Sequence, residues 1–180
     1  MANLCENILT INAQNAKGKS VIKHIRKKID KNSGKGFLSF ICPDHESWGT
    51  DYDVSFRSMG FESNSDSNEH ITLYFDTNNS SSRDAVCDFQ ERMKGDLIVS
   101  LVYVEPLMDF IGFYRPDDEG EMILSELYYG LVHAKSKAKE FAKRLNMTLD
   151  EIAENFMCNN LDGDDECYCS LCEFKSELTE

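Results

Sequence analysis

The stretch Leu97-Ile98-Val99-Ser100-Leu101-Val102-Tyr103-Val104 constrains this chain more than any other segment. It is nearly continuous apolar and rich in β-branched side chains, the composition of a strand buried on both faces. Such a strand sits inside a sheet, and the rest of the chain has to enclose it. Upstream, Ile8-Leu9-Thr10-Ile11-Asn12 alternates with period two and reads as a strand. After Gly18, Ser20 is positioned to cap a helix with Val21, Ile22, Ile25 and Ile29 as its apolar stripe. Its other face carries Lys23, Arg26, Lys27, Lys28 and Lys31, and Gly34 and Gly36 end it.

Phe37 to Ile41 is expected to form a short strand before Pro43. Tyr52, Val54 and Phe56 alternate with polar neighbours, and Ile71, Leu73 and Phe75 alternate again. The pattern predicts a hairpin closed by the wholly polar Glu62–Glu69 loop. Ser81-x-x-Asp84 is a capping-box variant ahead of Val86, Phe89 and Met93, with Gly95 closing that helix. The element order through Val104 is therefore β-α-β-β-α-β, the ferredoxin-like arrangement. Phe110 to Tyr114 and Met122 to Leu124 flank Asp117-Asp118-Glu119-Gly120 as a further hairpin. Ala134, Ala138, Phe141, Ala142 and Leu145 mark a helix, and Thr148-x-x-Glu151 caps another through Phe156. The expected architecture is α+β: a ferredoxin-like split β-α-β sandwich over 1–125 with the extra hairpin, C-terminal helices over 126–157, and an acidic Cys-containing tail over 158–180.

Charge narrows the function classes. Thirty-two acids face 19 Lys and Arg, a net charge of −13. Residues 1–43 hold eight Lys/Arg and two acids, residues 44–144 ten and twenty, and residues 145–180 one and ten. A chain this acidic is repelled by free nucleic acid except at its basic first helix, and it suits basic partner surfaces. There is no run of about 18 apolar residues to span a membrane. Met1–Thr10 shows no secretory signature, and the seven cysteines then read as reduced thiols. The expected location is the cytoplasm, in a host cell cytosol.

Four separated segments carry a family resemblance. Asn3-x-Cys5-x-Asn7-x-Leu9, Trp48-Gly49-Thr50-x-Tyr52-Asp53, Phe75-x-Thr77, and Tyr103-x-Glu105-x-x-x-Asp109-Phe110-x-Gly112 together resemble the signature of the YubB-type ferredoxin-like proteins of plasmids and phages. The resemblance covers roughly residues 1–125. It departs at Leu4, where an aromatic is frequent, at Asp51-Tyr52, where Lys-Trp is usual, and at Met108, where Gly is usual. It implies a fold and a mobile-element setting, and it implies no reaction, since function is not inherited from fold.

Several motifs invite chemistry. Cys158, Cys167, Cys169 and Cys172 form C-x8-C-x-C-x2-C, a candidate structural zinc set, with a reduced acidic tail as the alternative. Asp162-Gly163-Asp164-Asp165-Glu166 lacks the ligand register of an EF-hand. Phe141 to Phe156 has the outline of a helix-turn-helix, but its second helix offers Asp150, Glu151 and Glu154 where a recognition helix needs donors, so an αα-hairpin packed on the core is expected. The basic first helix reads as a solvated face, with phosphate binding as the alternative. No catalytic constellation stands out: His24, His45, His70 and His133 fall in different elements, and Cys5, Cys42 and Cys87 sit by apolar stretches as small hydrophobes. Glu105 and Asp109 beside Tyr103 read as a carboxylate pair or as polar residues satisfying backbone donors at a strand end. Trp48 is an anchor if packed and an interface candidate if exposed.

These observations predict a non-enzymatic phage or mobile-element protein that binds and inhibits a host nucleic-acid-handling protein, of the anti-CRISPR or anti-restriction type, by mimicking nucleic acid. The expected contacts are Asp117, Asp118, Glu119, Glu121, Asp162, Asp164, Asp165, Glu166 and Trp48, with no resident cofactor apart from the candidate zinc. The alternatives are a nucleic-acid-binding accessory protein using the first helix, and a zinc- or redox-responsive module.

Overall fold

The computed structural model describes residues 4–31, 36–62, 68–105, 110–117, 119–128 and 134–154. The strands are β1 (Leu4–Ala13), β2 (Gly60–Glu62), β3 (His70–Asn78), β4 (Leu97–Glu105), β5 (Phe110–Pro116) and β6 (Met122–Tyr128). The helices are α1 (Ala16–Asp30), α2 (Phe37–Ile41), α3 (Arg83–Arg92), α4 (Ala134–Arg144) and α5 (Leu149–Glu154). All six strands join one antiparallel sheet in the order β2-β3-β1-β4-β5-β6. The chain is thus α+β, and its strand order through β4 is compatible with a ferredoxin-like fold. Every residue of the Leu97–Val104 run lies in β4, paired with β1 along its whole length and with β5 from Leu101 to Val104, so its second half is the part enclosed on both sides.

Alternate side chains of each strand point to opposite faces, and each face carries its own core. One is built on Leu9, Ile11, Ile71, Leu73, Val99 and Leu101, closed by Ile22, Ile25 and Ile29 of α1, Phe37 and Ile41 of α2, and Val86 and Phe89 of α3. The other is offset towards β4, β5 and β6: Val104, Ile111, Phe113 and Leu127 pack against Phe141, Leu145 and Ile152. The αα-hairpin expected at the C-terminus therefore does pack on the sheet. Its second helix starts with a capping box in which Thr148 Oγ1 accepts from Glu151 N at 3.1 Å while Thr148 N donates to Glu151 Oε2 at 2.7 Å.

Four local expectations are corrected. Asn15, not Ser20, caps α1: it sits in extended backbone and its side chain accepts from Lys17 N and Gly18 N. Gly18 lies inside the helix, not ahead of it, and a Cβ there would collide with the Asp96 carbonyl, which is why the position takes glycine. Phe37–Ile41 is helical rather than a strand, because the Asp53 carboxylate accepts from Leu38 N at 2.7 Å and Ser39 N at 3.2 Å, capping α2 from a distant loop. The hairpin partner of β3 is Gly60–Glu62, not Tyr52–Phe56, which forms an isolated bridge through Ser55 to Gly36 and then a single 3₁₀ turn. The N-cap of α3 is Ser82, which makes no cap bond with its own side chain, so the Ser81–Asp84 box does not form. Among the described residues, no helix is long and apolar enough to cross a membrane.

Candidate functional site

Of the acidic residues expected to contact a partner, Asp117, Glu119 and Glu121 are among the described residues and share one turn. β5 and β6 end there, where Pro116 pairs with Met122. Asp117 Oδ1 accepts from Glu119 N and Glu121 N, both at 2.9 Å, while Asp117 N donates to Glu121 O at 2.8 Å. Gly120, at φ +83°, supplies the left-handed step that lets the chain return. Asp117 therefore shapes the turn, and Glu119 and Glu121 stand exposed on it. The neighbouring cation Arg115 is half-buried, and its field reaches Glu151.

Trp48 is not part of that surface. It is half-buried against the core on the α1–α3 face, donates Nε1–H to Cys42 O at 2.8 Å, and meets His45 edge-to-face. Its segment runs to the far end of the sheet, where Thr50 Oγ1 donates to Asn78 O at 2.7 Å. Asp118, Asp162, Asp164, Asp165 and Glu166 lie outside the described residues, as do the candidate zinc ligands Cys158, Cys167, Cys169 and Cys172. Among the described residues, no group of three or more His, Cys, Asp or Glu side chains is placed to hold a metal ion.

That far end gathers side chains from all four segments behind the family resemblance. Asn7 is buried and fully engaged. Its Nδ2 donates to Cys5 O at 2.8 Å and Thr77 Oγ1 at 2.9 Å, and its Oδ1 accepts from Ser82 N at 3.2 Å and Ser82 Oγ at 3.1 Å. The amide of β1 thus caps α3, a task its own N-cap leaves undone. Gly49 backs onto Ser81 O and Asp84, and Ser80 Oγ donates to Gly49 O. One strand over, Tyr103 donates its hydroxyl to Glu126, which also accepts from Arg83 Nη1 at 3.0 Å. Arg83 in turn donates Nε–H to Asp84 at 2.9 Å.

The electrostatics of this end favour the protonated forms of its thiol, phenol and guanidinium groups. Burial pushes the Cys5 thiol far up, and the Glu105 carboxylate adds to it. Burial and the Glu126 carboxylate likewise raise the Tyr103 phenol, and Asp84 holds Arg83 firmly charged. Burial also raises Cys42 and Cys87. Thiols in this state are poor nucleophiles. Glu105 is 1% exposed, and Asp109 lies outside the described residues. Three links thus tie this end together: β1 to α3 through Asn7, the Trp48–Asp53 loop to β3 and α3, and β4 to β6 through Tyr103. Glu126 was missed from the sequence because it sits behind the turn with no motif of its own.

The cations lie elsewhere, mainly on α1. Lys17 pairs with Asp96 and Lys19 with Glu69, each at 2.5 Å, and both carboxylates are held below their usual range. Lys28 lies over the rings of Phe40 and Phe56. Lys23, Lys27 and Lys31 are exposed. Comparison with protein-family models, with curated proteins and with solved structures finds no match.

Proposed function

We propose that this chain is a non-enzymatic phage or mobile-element protein that occupies the basic nucleic-acid channel of a host defence protein, with a ferredoxin-like split β-α-β body as its rigid support. The observation that supports this reading is the β5–β6 turn. Four acids fall within Asp117–Glu121, and the turn is fixed by its own backbone bonds to Asp117. Glu119 and Glu121 stand on a backbone fixed before binding, so less chain freedom is lost on association than from a flexible loop. The −13 charge steers the molecule towards basic surfaces and away from free duplex.

The test is capture of a CRISPR effector or restriction enzyme on immobilised chain, followed by a salt series. Binding should fall at least about tenfold between low and physiological salt, and again in the Glu119→Lys/Glu121→Lys variant. Retention that ignores both salt and that variant counts against the proposal. A second reading, nucleic-acid binding through α1, is supported by exposed Lys23 and Lys27 on that helix and exposed Lys31 at its C-cap. A gel shift of duplex DNA by the chain alone at low salt would favour it instead.

A further inference from the structure

The C-terminal helices cover only part of their face of the sheet, packing over β4, β5 and β6 through Phe141, Leu145 and Ile152. On the same face the registers align Tyr74, Ile8 and Val102 in one row across β3, β1 and β4, and place Ile98 beyond the threonine row that follows. Ile8, Tyr74 and Ile98 belong to neither core, whereas Val102 touches the second, so the patch is continuous with it. The polar side chains between them bond one another. His70 pairs with Asn12 Oδ1 at 2.9 Å and with Thr72 Oγ1 at 3.2 Å, and Thr72 Oγ1 pairs with Thr10 Oγ1 at 3.4 Å. These rows hold no Asp, Glu, Lys or Arg, and the acidic pair Glu6 and Asp76 bounds them at one end. Uncharged apolar surface of this kind marks a contact site.

We propose that residues 167–174 of this same chain cover the patch. α5, whose Ile152 is buried on this face, ends at Glu154. The chain continues from there to Glu180, the longest stretch outside the described residues. Within it, Cys167-Tyr168-Cys169-Ser170-Leu171-Cys172-Glu173-Phe174 holds six apolar side chains and one charge. The preceding Asp162, Asp164, Asp165 and Glu166 would be costly to bury against an uncharged surface, so the apolar window and not the acid run is the part that fits. The tether is long enough. β3 lies three strands from β5, about 15 Å, and residues 155–166 reach up to about 40 Å when extended. A segment tethered this closely meets its site at roughly millimolar effective concentration, so burying a few apolar side chains is enough to hold it. The tail cysteines then serve as small hydrophobes, and packing takes the place of the candidate zinc set.

Alkylation of the full, reduced chain by iodoacetamide, with a zinc chelator present throughout, tests this. Cys167, Cys169 and Cys172 should react at least about tenfold more slowly than in urea, and about 0.5 M NaCl should not weaken that protection. Ile98→Asp should remove the protection. Tyr74→Asp, at the other side of the patch, should do the same and serves if Ile98→Asp fails to fold. Lys23→Asp, on α1 across the sheet, should leave it in place. Thiols as reactive as in urea would overturn the proposal, because protection seen only without the chelator belongs to a metal site. Protection lost in NaCl or with Asp at 23 would overturn it in favour of a charged contact with α1, and protection that survives Asp at 98 and 74 would overturn it outright.

Discussion

Tyr103 and Gly112 are best understood as one unit. They are register partners across β4 and β5, and Gly112 is in turn the partner of Glu126 across β5 and β6. The Tyr103 ring passes directly over Gly112 to reach Glu126, and a Cβ on Gly112 would collide with that ring. Gly112 has no positive φ, so backbone freedom is not what selects glycine here. Space is. Gly112→Ala should therefore destabilise the protein by about 3 kcal/mol, the upper range for overpacking a closed core. In a Tyr103→Ala background the same change should have almost no effect, because the ring is gone. Urea unfolding of the four chains measures this, and additive losses would show that the clash is not with Tyr103. The pair was visible in the sequence only through the family-like segment Tyr103 to Gly112. Its third member, Glu126, was not, because nothing local marks a residue whose role is set by two registers.

Helix starts show why some elements were legible and others were not. Thr148 and Glu151 are near neighbours in sequence, so their box reads directly from the chain and is present. The start of α2 depends on Asp53 and that of α3 on Asn7, residues far away along the chain. Phe-Leu-Ser-Phe-Ile is a short apolar run that periodicity alone cannot assign to helix or strand. The distant Asp53 decides it. For β2 the difficulty is reversed, since Gly-Phe-Glu is too short to show any period. The local box also yields a pH prediction. Glu151 accepts from Thr148 N and Oγ1, which holds its carboxyl below the usual 4.5. Because the folded value is depressed, the cap's contribution is present above pH 4.5 and is lost as pH falls through the lower, folded value. The amide resonance of Thr148 should titrate with a midpoint below 4.5. A midpoint at or above that value would mean that the box does not hold in solution.

Over the whole molecule, two electrostatic effects compete. The ion pairs of the described surface, such as Lys17–Asp96, Lys19–Glu69 and Arg92–Asp88, are attractive, short-range and largely solvated. Pairs of this kind contribute about 0–1 kcal/mol each, and salt weakens them only modestly. Against them stands the excess of 32 acids over 19 bases, whose mutual repulsion is long-range and opposes compactness. Screening acts most strongly on charges more than about 10 Å apart at 0.1 M, so added salt removes more repulsion than attraction. The thermal midpoint should consequently rise by several degrees as NaCl is increased from low ionic strength to a few tenths molar. The segregation of charge sharpens this expectation. The β5–β6 turn gathers Asp117, Asp118, Glu119 and Glu121, so Glu119→Gln/Glu121→Gln should start from a higher midpoint in low salt and gain less from NaCl. NaCl is the appropriate salt, since sulfate would add its own exclusion effect on the apolar surface. A midpoint that falls with NaCl would mean that the local pairs outweigh the net charge. An acidic surface kept at the expense of stability in low salt is what a chain selected for basic partners would carry, and the difference between the two melting curves measures that sacrifice directly.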